Sequence, residues 1–204
     1  MEGRVIVDSS QQRDPSDRMQ IEGRSVDPDF SPMRTNDAAK SRVDRGRFRI
    51  EGLFGVRRFV LSGMPAGWYL KSLTINGADA TDQAIDFGVG AASTVVAEMV
   101  ISPRSSTIAG RVTARTKDVP ASSVVVFPQN RANWVEGSRF IKVVQTSRDG
   151  SFRVVSLPPG NYYVAAASTL DASTSPGALA RILPRAARVT LNDGIERIVE
   201  IPLP

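Results

Sequence analysis

The chain has 204 residues, 41% of them apolar, with 26 basic and 21 acidic side chains for a net charge of +5. It contains neither cysteine nor histidine, which rules out disulfides, thiolate nucleophiles and zinc–sulfur sites and removes the commonest general base and transition-metal ligand. Ser-His-Asp, Cys-His and HExxH chemistry are therefore impossible, and no apolar run reaches the roughly 18 residues of a spanning helix.

The positive charge does not by itself indicate nucleic acid. Residues 1–105 carry 14 basic and 14 acidic side chains, and 106–204 carry 12 and 7, so the whole excess lies in the second half. The arginines are scattered at strand-like alternation, as on a solvated strand face. Aromatics are only 6% and offer no stacking platform, so no nucleic-acid partner and no membrane insertion are expected. Met1 to Asp8 lacks the basic and apolar regions of a signal peptide.

In chain order, Gly3-Arg4-Val5-Ile6-Val7 begins as a strand, and Arg18 to Val26 alternates polar and apolar like a second. The segment Asp27-Pro28-Asp29-Phe30-Ser31-Pro32 is excluded from regular structure by its two prolines. Arg47-Phe48-Arg49-Ile50-Glu51 alternates strictly, with Phe48 and Ile50 expected to face inward. A strand over Arg57–Leu61 follows. Pro65-Ala66-Gly67 then turns the chain into a strand-like run from Trp68 to Ile75, where Trp68 is expected in the core, and Asn76-Gly77 marks a tight turn. Ser93 to Ile101 closes the first half, and Ser102-Pro103-Arg104-Ser105 reads as a linker.

The pattern then restarts. Gly110-Arg111-Val112 repeats Gly3-Arg4-Val5 at an offset of 107, and Gly150-x-Phe152-Arg153-Val154 through Leu157 repeats Gly46-x-Phe48-Arg49-Ile50 through Leu53 at 104. Two nearly equal offsets in the same order imply a duplicated unit of about 100 residues. Within the second copy, Ser122 to Phe127 is apolar enough to be a strand buried on both faces. Pro128 to Gly137 reads as a loop and Arg139 to Thr146 as a strand. Ser175-Pro176 caps a short helix carrying Leu179, Ile182 and Leu183, ended by Pro184. Arg185–Leu191, an Asn192-Asp193-Gly194 turn and Ile195–Leu203 complete it. About seven short strands per unit with almost no helix indicate an all-β chain.

At Gly110-Arg111-Val112-Thr113, Val124-Val125-Val126-Phe127 and Asp149-Gly150-Ser151-Phe152-Arg153 followed by Leu157-Pro158-Pro159-Gly160-Asn161-Tyr162, the second unit resembles a carboxypeptidase regulatory-like domain. This is a seven-stranded, Greek-key, transthyretin-like (prealbumin-like) β-sandwich. The first unit is similar but degraded: Leu53-Phe54-Gly55-Val56 stands where Leu-Pro-Pro-Gly is expected, and Arg45 replaces the turn aspartate. The resemblance implies two tandem Ig-like sandwiches, 1–103 and 104–204, with no catalytic residues and no cofactor. It further implies a periplasmic or extracellular setting, as a structural or interaction module of a larger exported bacterial protein. Its starch-binding-like relatives imply a carbohydrate-binding module as the alternative, and its namesakes imply an accessory domain beside an enzyme.

The candidate sites are few. Pro158-Pro159-Gly160-Asn161-Tyr162 is expected to be structural, with the Tyr162 ring in the core and its hydroxyl on nearby backbone. Trp134, in a polar loop with Asn130, Arg131 and Asn133, is the residue placed to stack on a sugar if a glycan binds. Whether the partner is a protein or a glycan is left open. Carboxylates gather at Asp14/Asp17, Asp27/Asp29 and Asp79/Asp82/Asp86 in turn-like contexts, without EF-hand spacing. Their pairing as glycosidase acids stays open at this level.

Overall fold

Strand alternation in the first half builds one sandwich and its repetition builds a second. The computed structural model describes residues 1–9, 14–26, 39–88, 94–113, 122–168 and 174–203. The chain divides into two compact units, Met1–Pro103 and Arg104–Pro204. The Asp27-to-Pro32 segment, the Asp27/Asp29 pair and Ser93 lie outside the described residues.

In the first unit, β1 (Glu2–Val7) runs parallel to β9 (Val96–Ser102) and antiparallel to β4 (Arg47–Arg49). The hairpin β6 (Tyr69–Ile75) and β7 (Ala78–Asp79) extends this sheet beyond β9, giving the order β4-β1-β9-β6-β7. Asn76 and Gly77, at φ 50° and 82°, make its two-residue turn, the conformation that Asn-Gly adopts readily. The second sheet has the order β3-β2-β5-β8, formed by β3 (Lys40–Arg42), β2 (Gln20–Ser25), β5 (Val56–Ser62) and β8 (Ala84–Asp86). Val5, Phe48, Leu73 and Met99 from one sheet meet Ile21 from the other in a single core that also takes in Trp68, 8% exposed. Burying these alternate residues is what holds the two sheets face to face.

The second unit repeats this plan. β10 (Ser106–Thr113) runs parallel to β16 (Glu196–Pro202) and antiparallel to β13 (Ser151–Leu157). The opposing sheet has the order β12-β11-β14-β15, built from β12 (Lys142–Gln145), β11 (Ser122–Pro128), β14 (Gly160–Ser168) and β15 (Ala187–Leu191). Ile108, Val126, Val154, Val164 and Ile201 fill the space between the sheets. A second cluster on the outer face joins Val125, Phe127 and Ala165 to Leu179 and Ile182 of α1 (Pro176–Ile182). As expected, β11 is buried on both faces, every residue from Ser122 to Pro128 being enclosed. The Ser175 hydroxyl accepts from the Ala178 N–H and caps α1, whose last turn passes into a 3-10 turn at Leu183–Arg185 around Pro184.

Three details differ from the sequence reading. Among its described residues the first unit has nine strands where about seven were expected: the strand after Trp68 and the Asn76-Gly77 turn form as expected, and the short β3, β7 and β8 are added, the β6–β7 hairpin standing between β5 and β8 as α1 stands between β14 and β15. Arg139 and Phe140 lie in a turn ahead of β12, so that strand is shorter than expected, and Arg18 belongs to a 3-10 turn at Ser16–Arg18 before β2.

Both copies share one packing device. Gly3 lies opposite Phe48, and Gly110 opposite Phe152. A Cβ on Gly3 would overlap the Phe48 ring and press on the Ala97 carbonyl; one on Gly110 would overlap the Val199 carbonyl and press on the Phe152 ring. The missing side chain is what lets each phenylalanine lie across the first strand.

Candidate functional site

The residues that looked chemically promising in sequence are engaged in the fold. The Trp134 indole N–H donates to the Pro128 carbonyl at 2.7 Å, its ring meets Phe127 edge-on at 5.4 Å, and the Arg131 guanidinium lies over it at 5.2 Å. Asn130 caps the 3-10 turn at Arg131–Asn133 through the Ala132 N–H, and this turn drives the following indole inward beside Leu179 and Ile182. Only 5% of Trp134 is exposed, so it offers no open face to a sugar ring. The polar residues around it in sequence belong to the turn, while the indole belongs to the outer cluster of the sheet.

Tyr162 is 1% exposed and its hydroxyl donates to the Pro158 carbonyl at 2.7 Å, closing the Pro-Pro-Gly corner from inside. Asp149 accepts from the Ser151 hydroxyl at 2.7 Å and the Ser151 N–H at 3.1 Å, with Arg111 at 3.4 Å. The Ser151 hydroxyl first, then the Ser151 N–H, hold this carboxyl below the usual carboxylate range against an opposing desolvation, with Arg111 adding to the lowering.

The other carboxylates also serve turns. Asp14 accepts from the Ser16 N–H, Asp17 from the Arg45 N–H, Asp79 from the Thr81 N–H and Asp86 from the Gly88 N–H, all at 2.7–2.9 Å. Among the described residues no three carboxylates come together in a way that could hold a metal ion.

The feature that sequence reading missed is an open concavity of about 1020 Å³ on the solvent face of the first unit's larger sheet. Strand register builds its floor: Arg4 lies directly between Arg47 and Glu98, and Glu2 directly between Arg49 and Val96. Arg42 and Arg45 complete a set of five arginines, and Asp44 joins Glu2 and Glu98 as the carboxylates. Arg4 holds Glu98 through Nε and Nη2 at 2.8 and 2.6 Å, while Arg49 is shared between Glu2 at 3.5 Å and Glu51 at 3.2 Å. Among the described residues Arg42, Arg45 and Arg47 have no ion pair. The sequence signal was the spacing of Arg42, Arg45, Arg47 and Arg49 within eight residues, which alternation alone made look like an ordinary solvated strand.

No protein-family model matches the chain, and no curated protein matches it. Among solved structures it is similar to the TIE protein of Bacillus anthracis, at 10% identity and a TM-score of 0.33, over 99% of this chain and 33% of that one. It is similar also to a DUF3823 family protein from Parabacteroides merdae, at 15% identity and 0.31, over 48% of this chain and 45% of that one. A minor pilin of Streptococcus agalactiae matches at 12% identity and 0.32, over 98% and 94%. The chain thus spans a third of the first of these proteins and less than half of the second. Likenesses this loose bear neither on activity nor on partners, and the fold rests on the strand pairing itself.

Proposed function

We propose that the chain is a non-catalytic structural and binding module of a larger exported bacterial protein. In this reading 1–103 is a degenerate transthyretin-like sandwich and 104–204 a carboxypeptidase regulatory-like one. The observation that carries it is the use made of the reactive-looking side chains. Tyr162, Trp134 and the turn aspartates all spend their polar atoms on the backbone of the fold, which leaves surface rather than chemistry as the means of action. The repeated Gly–Phe device supports a duplicated scaffold, and scaffolds of this kind act through the faces and loops they present.

A glycan platform at Trp134 has no exposed ring to support it. Two measurements test the module reading. Cell fractionation with an antibody against residues 1–204 is expected to find these residues in a longer polypeptide outside the cytoplasmic membrane. A panel of ester, phosphate, peptide and glycoside substrates is expected to show no turnover. A free cytosolic 204-residue chain, or sustained turnover by the purified protein, would overturn it.

A further inference from the structure

The arginine-lined concavity of the first unit has a built-in control, because the second unit presents the same frame with different residues. At the 104-residue offset, Arg42, Arg45 and Arg47 correspond to Thr146, Asp149 and Ser151. There Thr146 donates to the Ser122 carbonyl at 3.1 Å, and Asp149 binds Ser151 and faces Arg111, the counterpart of Arg4. The fold therefore requires no cation at any of the three positions. In the first unit the same places carry three arginines without an ion pair among the described residues, one of them, Arg45, in a left-handed conformation at φ 46°. Arg47 also stands directly across the strand pair from Arg4, whose charge Glu98 already answers, so that Arg47 has no carboxylate of its own among the described residues. The lining carries five arginines against three carboxylates, although the half of the chain that builds it has no net charge.

The composition of the face selects among anions. Its aromatic, Phe48, is 5% exposed beneath the sheet, so bases have nothing to stack on. Glu2, Asp44 and Glu98 interleave with the arginines, which repels a dense phosphate backbone but suits a polymer whose charges are spaced by hydroxyls. Guanidinium forks match the two oxygens of a carboxylate, and the carboxylates accept from sugar hydroxyls. We propose that this face binds an acidic polysaccharide through its uronate carboxylates, with Arg42, Arg45 and Arg47 as the anion-binding residues. The proposal rests on the module reading and names the ligand class for it.

The test is calorimetric titration of the full chain with polygalacturonate, beside methyl-esterified pectin, dextran sulfate, polyglutamate and double-stranded DNA. Polygalacturonate is expected to bind, more weakly as salt rises, and the esterified polymer is expected not to bind. The variant Arg42→Thr/Arg45→Asp/Arg47→Ser imports the second unit's residues and is expected to lose affinity about tenfold or more with an unchanged melting curve. Should that variant misfold, Arg47→Ser alone is expected to weaken binding several-fold. No binding of polygalacturonate, equal binding by the folded variants, or equally tight binding of dextran sulfate, polyglutamate or DNA would each overturn the proposal. Such a result leaves the module reading standing, since localisation and turnover decide that separately.

Discussion

Gly3 and Gly110 are the positions at which one atom matters most. In the second unit the Val199 carbonyl occupies the space a Cβ would need. That oxygen is backbone held in a parallel ladder, so it has no rotamer by which to move aside. Gly110→Ala is expected to destabilise the protein by about 3 kcal/mol, measured by urea unfolding, with the strain spread over β10 and β16. A contrasting case is Ser156, held at φ 62° where the first unit has Gly52 at φ 71°. A non-glycine residue pays for that conformation, and Ser156→Gly is expected to stabilise by about 0.5–1 kcal/mol in the same assay. Both positions were visible in sequence as repeat marks or their neighbours. The direction of their effects was not, because the left-handed turn at Ser156 and the carbonyl beside Gly110 come from the paired strands.

At the scale of elements, the two copies differ in what covers the outer face of the smaller-numbered strands. Strand β2 alternates buried Ile21 and Gly23 with Gln20, Glu22 and Arg24, which are not buried, and needs no cover on its polar side. β11 is apolar from Val124 onward and would leave Val125 and Phe127 in water without α1 and the Trp134 turn. Trp134 is therefore a core residue of this outer layer. Trp134→Ala is expected to cost about 3–5 kcal/mol in chemical denaturation. Its fluorescence in the wild type is expected to be blue-shifted and poorly quenched by acrylamide, whereas a fully quenchable indole would contradict this placement. The apolar run Val124–Phe127 already called for a two-sided burial, and Ser175-Pro176 already called for a helix. That Trp134 belongs to the same layer was hidden, since Asn130, Arg131 and Asn133 surround it with polar residues in the chain, while the 3-10 turn carries the indole inward and leaves Arg131 over its ring.

For the whole molecule, each unit closes its own core from its own strands, with Trp68 in one and Trp134 in the other. About 100 residues suffices for a self-standing sandwich. Residues 104–204 expressed alone are expected to unfold cooperatively in urea with Trp134 as the reporter. A fragment with a red-shifted indole and no transition would show that the second unit depends on the first. Sequence by itself determined the duplication, the all-β class, the two-sided strand and the capped helix, because each is written in local periodicity or in a short motif. It also excluded histidine- and cysteine-based chemistry outright. Only the tertiary structure decided that Tyr69–Asp79 extends a sheet in one unit where a helix covers one in the other. It alone also decided that Trp134 turns inward and that Arg4, Arg42, Arg45, Arg47 and Arg49 share one concave face. Those outcomes depend on which strands lie side by side, and cross-strand register brings together residues that periodicity along the chain leaves unrelated.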